Sequence, residues 1–281
     1  MKVGIIGLGA MGMGMATRLQ QAGFLSGVYN RTPEKMEKFN VKRYTSPETL
    51  AADMNVVLLC VSADNDVLDI VHAISSTIKP HSIVVDMSTV SSETAQHAAN
   101  CLAKQAVAFL DAPVSGGVEG AKNGTLSMMV GGDAAILDIV RPILSCMASR
   151  IIHIGDVGSG QATKAINQIM AAGINQAVTE ALAVAQAQNL PMQKVIEVIS
   201  GGAAGNWFLQ HRGLTMTQNN YNSGFKLALH HKDLNIAQDM ARRVNIATPL
   251  TDMTINDYQR LMAKGYGDED ISALYRLKRK S

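Results

Sequence analysis

Lys164, Asn167 and Gln168 stand at i, i+3 and i+4 of a segment that reads as helix, so one amine and two amides share a helical face. The rest of that segment is Ala, Ile, Met and Val. A polar triplet buried there would cost several kcal/mol if left unsatisfied, and a bound polar ligand would supply the partners. The positive end of the helix lies close by and disfavours the ammonium form, which draws a lysine pKa toward the range useful for proton transfer. A solvated helix start, or a lysine bridging two domains, has the same spacing. A second segment, Asp111-Ala112-Pro113-Val114-Ser115-Gly116-Gly117, follows a strand-like run. It ends in the Ser115 hydroxyl and the unhindered N–H groups of Gly116 and Gly117, a nest that suits a carboxylate. An ordinary turn with a capping serine reads alike.

Gly7-Leu8-Gly9-Ala10-Met11-Gly12 is G-x-G-x-x-G placed directly after an apolar run and at the opening of a helix. In that context Gly7 permits the tight turn, Gly9 lets the backbone approach a pyrophosphate, and Gly12 lets helix and strand pack closely. An NAD site usually carries an acid at the end of the second strand, about 20 residues on. Here the strand ends Tyr29-Asn30-Arg31-Thr32. Asn30 adds no negative charge, while Arg31 and Thr32 can pair with a 2′-phosphate, so NADP is expected, with NAD possible. A solvated loop arginine is the plainer alternative. Two further strand ends, Val61-Ser62-Ala63 and Met87-Ser88-Thr89, should line the same crevice or cap the helices that follow.

These groups need a scaffold, and the first half of the chain alternates strand-like and helix-like runs as a parallel sheet with crossover helices does. Strands are expected at Lys2 to Ile6, Leu25 to Tyr29, Asn55 to Val61, Ser82 to Asp86, Val107 to Leu110 and Arg150 to Ile154. Helices are expected at Met11 to Ala22, Pro33 to Phe39, Asp64 to Ile78, Ser91 to Lys104 and Ala134 to Met147. After about Gly160 the pattern is helical throughout: Gln161 to Gln188, Pro191 to Ser200, Leu227 to Arg243, Thr248 to Lys264 and Ile271 to Lys278. The expected fold class is therefore α/β, with an N-terminal Rossmann dinucleotide-binding domain at 1–159 and an all-α domain at 160–281 for substrate binding and dimerisation. The long Ala-rich helix would suit a dimer core, and a homodimer or homotetramer is expected.

The 281 residues carry 25 Lys plus Arg against 23 Asp plus Glu, a net +2 with no dominant basic block, so nucleic acid is not expected as a partner. Val56 to Val61 is far shorter than the roughly 18 apolar residues that span a bilayer. The early glycines also interrupt what would otherwise resemble a secretory leader, so a cytoplasmic protein without membrane insertion is expected. Cys60, Cys101 and Cys146 fit neither a disulfide framework nor a zinc cluster, and the seven histidines have no ligand spacing, so no metal is expected. Gly205-Asn206-Trp207-Phe208, between helices, reads as core with cleft lining as the alternative. His231 reads as a solvated helix residue, with a cofactor-facing position beside Lys232 as the alternative, and the basic tail Arg276 to Lys280 reads as a solvated helix end.

Taken together, Gly7 to Gly12, Asp111 to Gly117, Gly124-Thr125-Leu126 with Gly131-Gly132, Gly158-x-Gly160-x-x-x-Lys164-x-x-Asn167, and Lys232-Asp233-Leu234 make the chain resemble the β-hydroxyacid dehydrogenase family over nearly its whole length. That group contains 3-hydroxyisobutyrate dehydrogenases, tartronate semialdehyde reductases and glyoxylate/succinic semialdehyde reductases. The resemblance implies hydride transfer between NADP(H) and a small carboxylate-bearing β-hydroxy acid or its semialdehyde. It implies Lys164 as general acid/base helped by Asn167, and Ser115, Gly116, Gly117 and Gln168 as substrate contacts. Thr89 and Lys232 would lie near the nicotinamide. Asn-Gln at 167–168, where many members have two asparagines, is closer to tartronate semialdehyde reductases. The alternatives are a decarboxylating 6-phosphogluconate dehydrogenase type, for which the chain is short, and a non-catalytic dinucleotide-binding module. Lys164 argues against the module, as it does against imine-reducing relatives.

Overall fold

The computed structural model describes residues 1–222 and 224–279. Contacts divide the chain into two compact units, Met1–Lys164 and Ala165–Ser281.

In the first unit the elements run β1 (Val3–Ile6), α1 (Ala10–Gln21), β2 (Leu25–Tyr29), a 3-10 turn (Pro33–Lys38), β3 (Lys42–Arg43), α2 (Pro47–Ala51), β4 (Val56–Leu59), α3 (Asp64–Ile74), β5 (Ile83–Asp86), α4 (Ser92–Ala103), β6 (Ala108–Asp111), β7 (Val114–Ser115), α5 (Gly117–Asn123), β8 (Leu126–Gly131), α6 (Ala134–Leu144) and β9 (Ala148–Gly155). The strand order is β3-β2-β1-β4-β5-β6-β8-β7, and β9 also pairs with β8. From β3 to β6 every pairing is parallel, whereas β8 is antiparallel to β6 and β7. The order reverses between β1 and β4, and this switch point is where doubly wound sheets open a crevice for ligands.

Alternation along the central strands builds both faces. Val3, Ile5, Val56, Leu58, Ile83 and Val85 enter one apolar cluster with α1 and α6, while Ile6, Val57, Leu59 and Val84 enter the other with α2, α3 and α4. A sheet buried on both sides needs apolar residues at every position, which is why these strands read as continuous apolar runs. The expected helix at Pro33 to Phe39 is a 3-10 turn, and β3, α2, β7, α5 and β8 add to the elements read from sequence.

The long helix α7 (Ser159–Ala187) starts in the first unit and continues into the second, which adds α8 (Met192–Ser200), α9 (Trp207–Thr217), α10 (Leu227–Arg243), α11 (Pro249–Met262), a 3-10 turn (Ile271–Leu274) and α12 (Tyr275–Lys278). Its core includes Leu182, Phe208, Leu234, Tyr258, Leu261 and Tyr275. Trp207 begins a helix that the sequence pattern did not reveal and is 54% exposed, stacked on His211, while Phe208 takes the buried position. The basic tail is not merely solvated, because Arg276 makes two 2.9 Å bonds to Glu269 and lies over the rings of Tyr221 and Tyr266. Lys280 lies outside the described residues. No helix among the described residues is long and apolar enough to cross a membrane.

Candidate active site

At the switch point, Gly7 leaves β1 with φ +100°, a conformation that side chains other than glycine rarely adopt. A Cβ there would lie 2.2 Å from the Cys60 carbonyl oxygen, and one at Gly12 would lie 2.0 Å from the Gly7 carbonyl oxygen. The protein's own packing therefore requires glycine at both positions. Gly9 differs: a Cβ there would meet nothing within 4 Å, and its backbone angles suit any residue. Glycine at position 9 thus preserves access to the backbone at the opening of α1, as the diphosphate of a dinucleotide needs. This donor-rich helix start, which carries Leu8, Ala10 and Met11 between the glycines, is chemically suited to NAD(P).

The end of β2 is tied to this turn. The Leu8 N–H donates to Asn30 Oδ1 at 2.8 Å, the Gly7 N–H to the Tyr29 carbonyl at 3.0 Å, and Asn30 Nδ2 to the Thr32 carbonyl at 3.0 Å. Asn30 is therefore a brace as well as a neutral neighbour. Arg31, with a side chain 80% exposed, meets Asp66 Oδ1 at 3.2 Å. An exposed pair of this kind is worth about 0–1 kcal/mol, so the guanidinium remains available to a phosphate. Thr32 is exposed, as is Ser62 after β4, whereas Val61 and Thr89 are half-buried. Ser88 is buried and joins the two strand ends: its hydroxyl accepts the Val61 N–H at 2.9 Å, and its own N–H donates to Asp86 Oδ1.

The segment after β6 has two functions. Ser115 ends β7, and Gly116 (φ +128°) and Gly117 (φ +62°) turn the backbone into α5 through angles unfavourable to a Cβ. At its other end, Asp111 is fully buried, accepting the Gly158 N–H on Oδ1 and the Gln161 N–H on Oδ2, both at 2.8 Å. It thereby satisfies N–H groups at the opening of α7, which would otherwise be orphaned. Burial pushes the Asp111 carboxyl upward in pKa, opposed by these N–H donors and that of Gly160. Gly160 fits because a Cβ would lie 2.3 Å from the Met129 carbonyl oxygen. Lys164 follows one turn later and is 7% exposed.

Beyond Lys164, α7 presents Asn167 and Gln168 in the helical unit. Asn167 Nδ2 donates to Gln168 Oε1 at 2.9 Å, and Gln168 Nε2 donates to Asp233 Oδ2 at 2.7 Å. Asp233 Oδ1 also meets Lys232 Nζ at 3.1 Å. The buried Asp233 thus ties the amide pair to Lys232, a connection between helices that spacing within one helix does not reveal. His231 is half-buried rather than solvated, and burial lowers its pKa. Asp111, Gln161 and Asp233 are the site residues to which sequence reasoning gave no role.

A glycine turn suited to a dinucleotide, with a buried lysine near the start of the long helix that leaves this unit, fits a nucleotide-dependent dehydrogenase, and known proteins similar to this chain are of that class. Residues 2–155 match the family described as the NAD binding domain of 6-phosphogluconate dehydrogenase, and residues 158–278 match the one described as NAD-binding of NADP-dependent 3-hydroxyisobutyrate dehydrogenase. An uncharacterized oxidoreductase of Shewanella frigidimarina is 40% identical, covering 99% of this chain and 98% of its own. The 2-hydroxy-3-oxopropionate reductase of Escherichia coli is 33% identical, covering 98% and 96%. The structure of Mycobacterium tuberculosis 3-hydroxyisobutyrate dehydrogenase with L-serine superposes with a TM-score of 0.89 at 30% identity, covering 99% of each chain. The protein is an NAD(P)-dependent hydroxyacid dehydrogenase. It belongs to the β-hydroxyacid dehydrogenase family, among the 3-hydroxyisobutyrate dehydrogenase-like oxidoreductases.

Proposed function

We propose that the enzyme interconverts a small β-hydroxy acid and its semialdehyde with NADP(H), using Lys164 as the general acid/base. The observation that carries this reading is the placement of Lys164: a 7% exposed amine one turn into α7, whose start is fixed to the end of β6 by Asp111. Bound NADP(H) supplies or accepts the hydride. Ser115 and the backbone N–H groups of Gly116 and Gly117 hold the substrate carboxylate, leaving the carbon that reacts in a fixed position. In reduction, the Lys164 ammonium gives its proton to the oxygen as the carbonyl becomes a hydroxyl; in oxidation, the neutral amine takes the hydroxyl proton. Asn167 orients that oxygen and Gln168 contacts the substrate, with Asp233 fixing the amide of Gln168.

At the nucleotide end, Gly7 to Gly12 receive the diphosphate, and Arg31 with Thr32 reads the 2′-phosphate beside the uncharged Asn30. Val61, Ser62, Thr89 and Lys232 are the further residues that would contact the bound nucleotide. The absence of an acid at 30–32 supports NADP over NAD. We place the enzyme in the cytoplasm as a homodimer or homotetramer. Exposed Met170 and Val184 along α7 support self-association, and the helical domain at 160–281 would serve both substrate binding and assembly.

A panel of 3-hydroxyisobutyrate, serine, tartronate semialdehyde, glyoxylate and succinic semialdehyde, followed by nicotinamide absorbance with each nucleotide in both directions, tests the reading. It predicts turnover of at least one panel member with kcat/KM higher for NADPH or NADP+ than for the non-phosphorylated form. No turnover of any member would reject it.

A further inference from the structure

We propose that Gln161, fixed in place by Asp111, is a positioning residue that sets Lys164 in register with the Thr89 loop; this rests on the roles proposed above for Lys164 and Thr89. Gln161 lies three residues before Lys164 on α7 and is 2% exposed. Its amide grips the backbone on both sides of Thr89. Gln161 Nε2 donates to the Ser88 carbonyl at 2.9 Å, and the Val90 N–H donates to Gln161 Oε1 at 3.1 Å. The two bonds straddle a single residue, so they fix where Thr89 sits and which way its backbone faces.

Both ends of this clamp are themselves held. The Gln161 backbone N–H donates to Asp111 Oδ2, and Gly158, before the helix, donates to Asp111 Oδ1. On the loop side, the Ser88 N–H is held by Asp86 and the Ser88 hydroxyl by the Val61 N–H. Asp86 and Asp111 are register partners on the adjacent strands β5 and β6. One short path of hydrogen bonds, buried except at the Val61 end, therefore connects the strand ends bordering the crevice to the first turn of the helix that carries the amine. Simple helix capping needs only Asp111; the side-chain amide of Gln161 adds nothing to the cap and acts entirely on the loop. A proton donor and a hydride donor must meet their acceptor together, and displacement of about 1 Å can cost on the order of a hundred-fold in rate.

The test is Gln161→Met, which keeps the side-chain volume and removes both amide bonds. On folded protein well below its melting temperature, kcat should fall roughly ten- to a hundred-fold. The NADPH Kd and the substrate KM should change by less than about three-fold, because neither the glycine turn nor the carboxylate loop is touched. Gln161→Glu provides a second readout. Its carboxylate still accepts from Val90 but opposes the Ser88 carbonyl, and protonation restores a donor, so its kcat relative to wild type should rise as pH falls. Unaltered kcat in folded Gln161→Met, or a Gln161→Glu to wild-type ratio that is flat with pH, overturns the proposal. Lys164→Ala measured alongside separates the two claims. If that variant is inactive while Gln161→Met is not, only the positioning role fails; if Lys164→Ala keeps wild-type turnover, the catalytic reading fails with it.

Discussion

The fingerprint glycines Gly9 and Gly12 should respond to alanine in different ways, and the structure says how. At Gly9 the new methyl meets no protein atom within 4 Å, and φ −66°, ψ −170° suits alanine. Losing glycine as N-cap costs a few tenths to about 1 kcal/mol, offset by a gain of about 0.4–1 kcal/mol from the less flexible unfolded chain. Gly9→Ala should therefore melt within about 2 °C of wild type. The same methyl stands where a diphosphate would approach the opening of α1. Loss of one charge-assisted hydrogen bond, about 1.5–3 kcal/mol, weakens NADPH binding roughly ten- to a hundred-fold. At Gly12 the methyl lies 2.0 Å from the backbone oxygen of Gly7, which no rotamer change can relieve. Overpacking of up to about 3 kcal/mol, less about 1 kcal/mol of helix propensity, leaves a loss of roughly 2 kcal/mol. That lowers the melting temperature by about 4–8 °C for a unit of this size. Thermal melts and NADPH fluorescence titrations of both variants check the dissociation. A Gly9→Ala protein that binds NADPH normally, or a Gly12→Ala protein that melts normally, would refute the reasoning.

Arg31→Ala should raise the KM for NADPH about ten-fold or more and leave that for NADH within about two-fold, since one charge-assisted contact to the 2′-phosphate is removed; equal changes for both nucleotides would show that Arg31 does not read the phosphate. Asp53, bound by Lys2, Tyr44 and Lys42, is held well below the usual carboxylate range by hydrogen bonds from those three residues. A depressed folded pKa contributes stability above the unfolded value of about 3.9, and that contribution is lost as pH falls through the folded value. Melting curves of Asp53→Asn should therefore lose stability at neutral pH and depend less steeply on pH below about 4 than those of wild type.

Much of the scaffold was legible because its determinants are local. The observed spans Leu25–Tyr29 and Leu227–Arg243 coincide with the sequence reading, one bounded by Gly23 and Asn30 and the other carrying a clear amphipathic period. Where local signals are weak, elements escaped. In β8, Leu126-Ser127-Met128-Met129-Val130-Gly131 carries a single β-branched residue and only broken alternation, and its place in the sheet comes from pairing with β6, β7 and β9. In α9, Gly213 interrupts the middle of the helix, and Trp207 looked like an anchor although it lies outside on His211. The same distinction applies to the candidate site. The glycine turn and the 164–168 triplet are short-range patterns. Asp111, by contrast, acts on residues 47 and 50 positions away, and Asp233 meets Gln168 across 65 positions, so only the folded chain discloses them.

The measurement bearing most directly on the mechanism is the rate of NADPH oxidation by Lys164→Ala with an active substrate at saturation, together with its NADPH affinity. With Lys164 as proton donor, the rate falls about 10²- to 10⁴-fold while the NADPH Kd stays within about three-fold of wild type. A rate within two-fold of wild type would contradict the assignment.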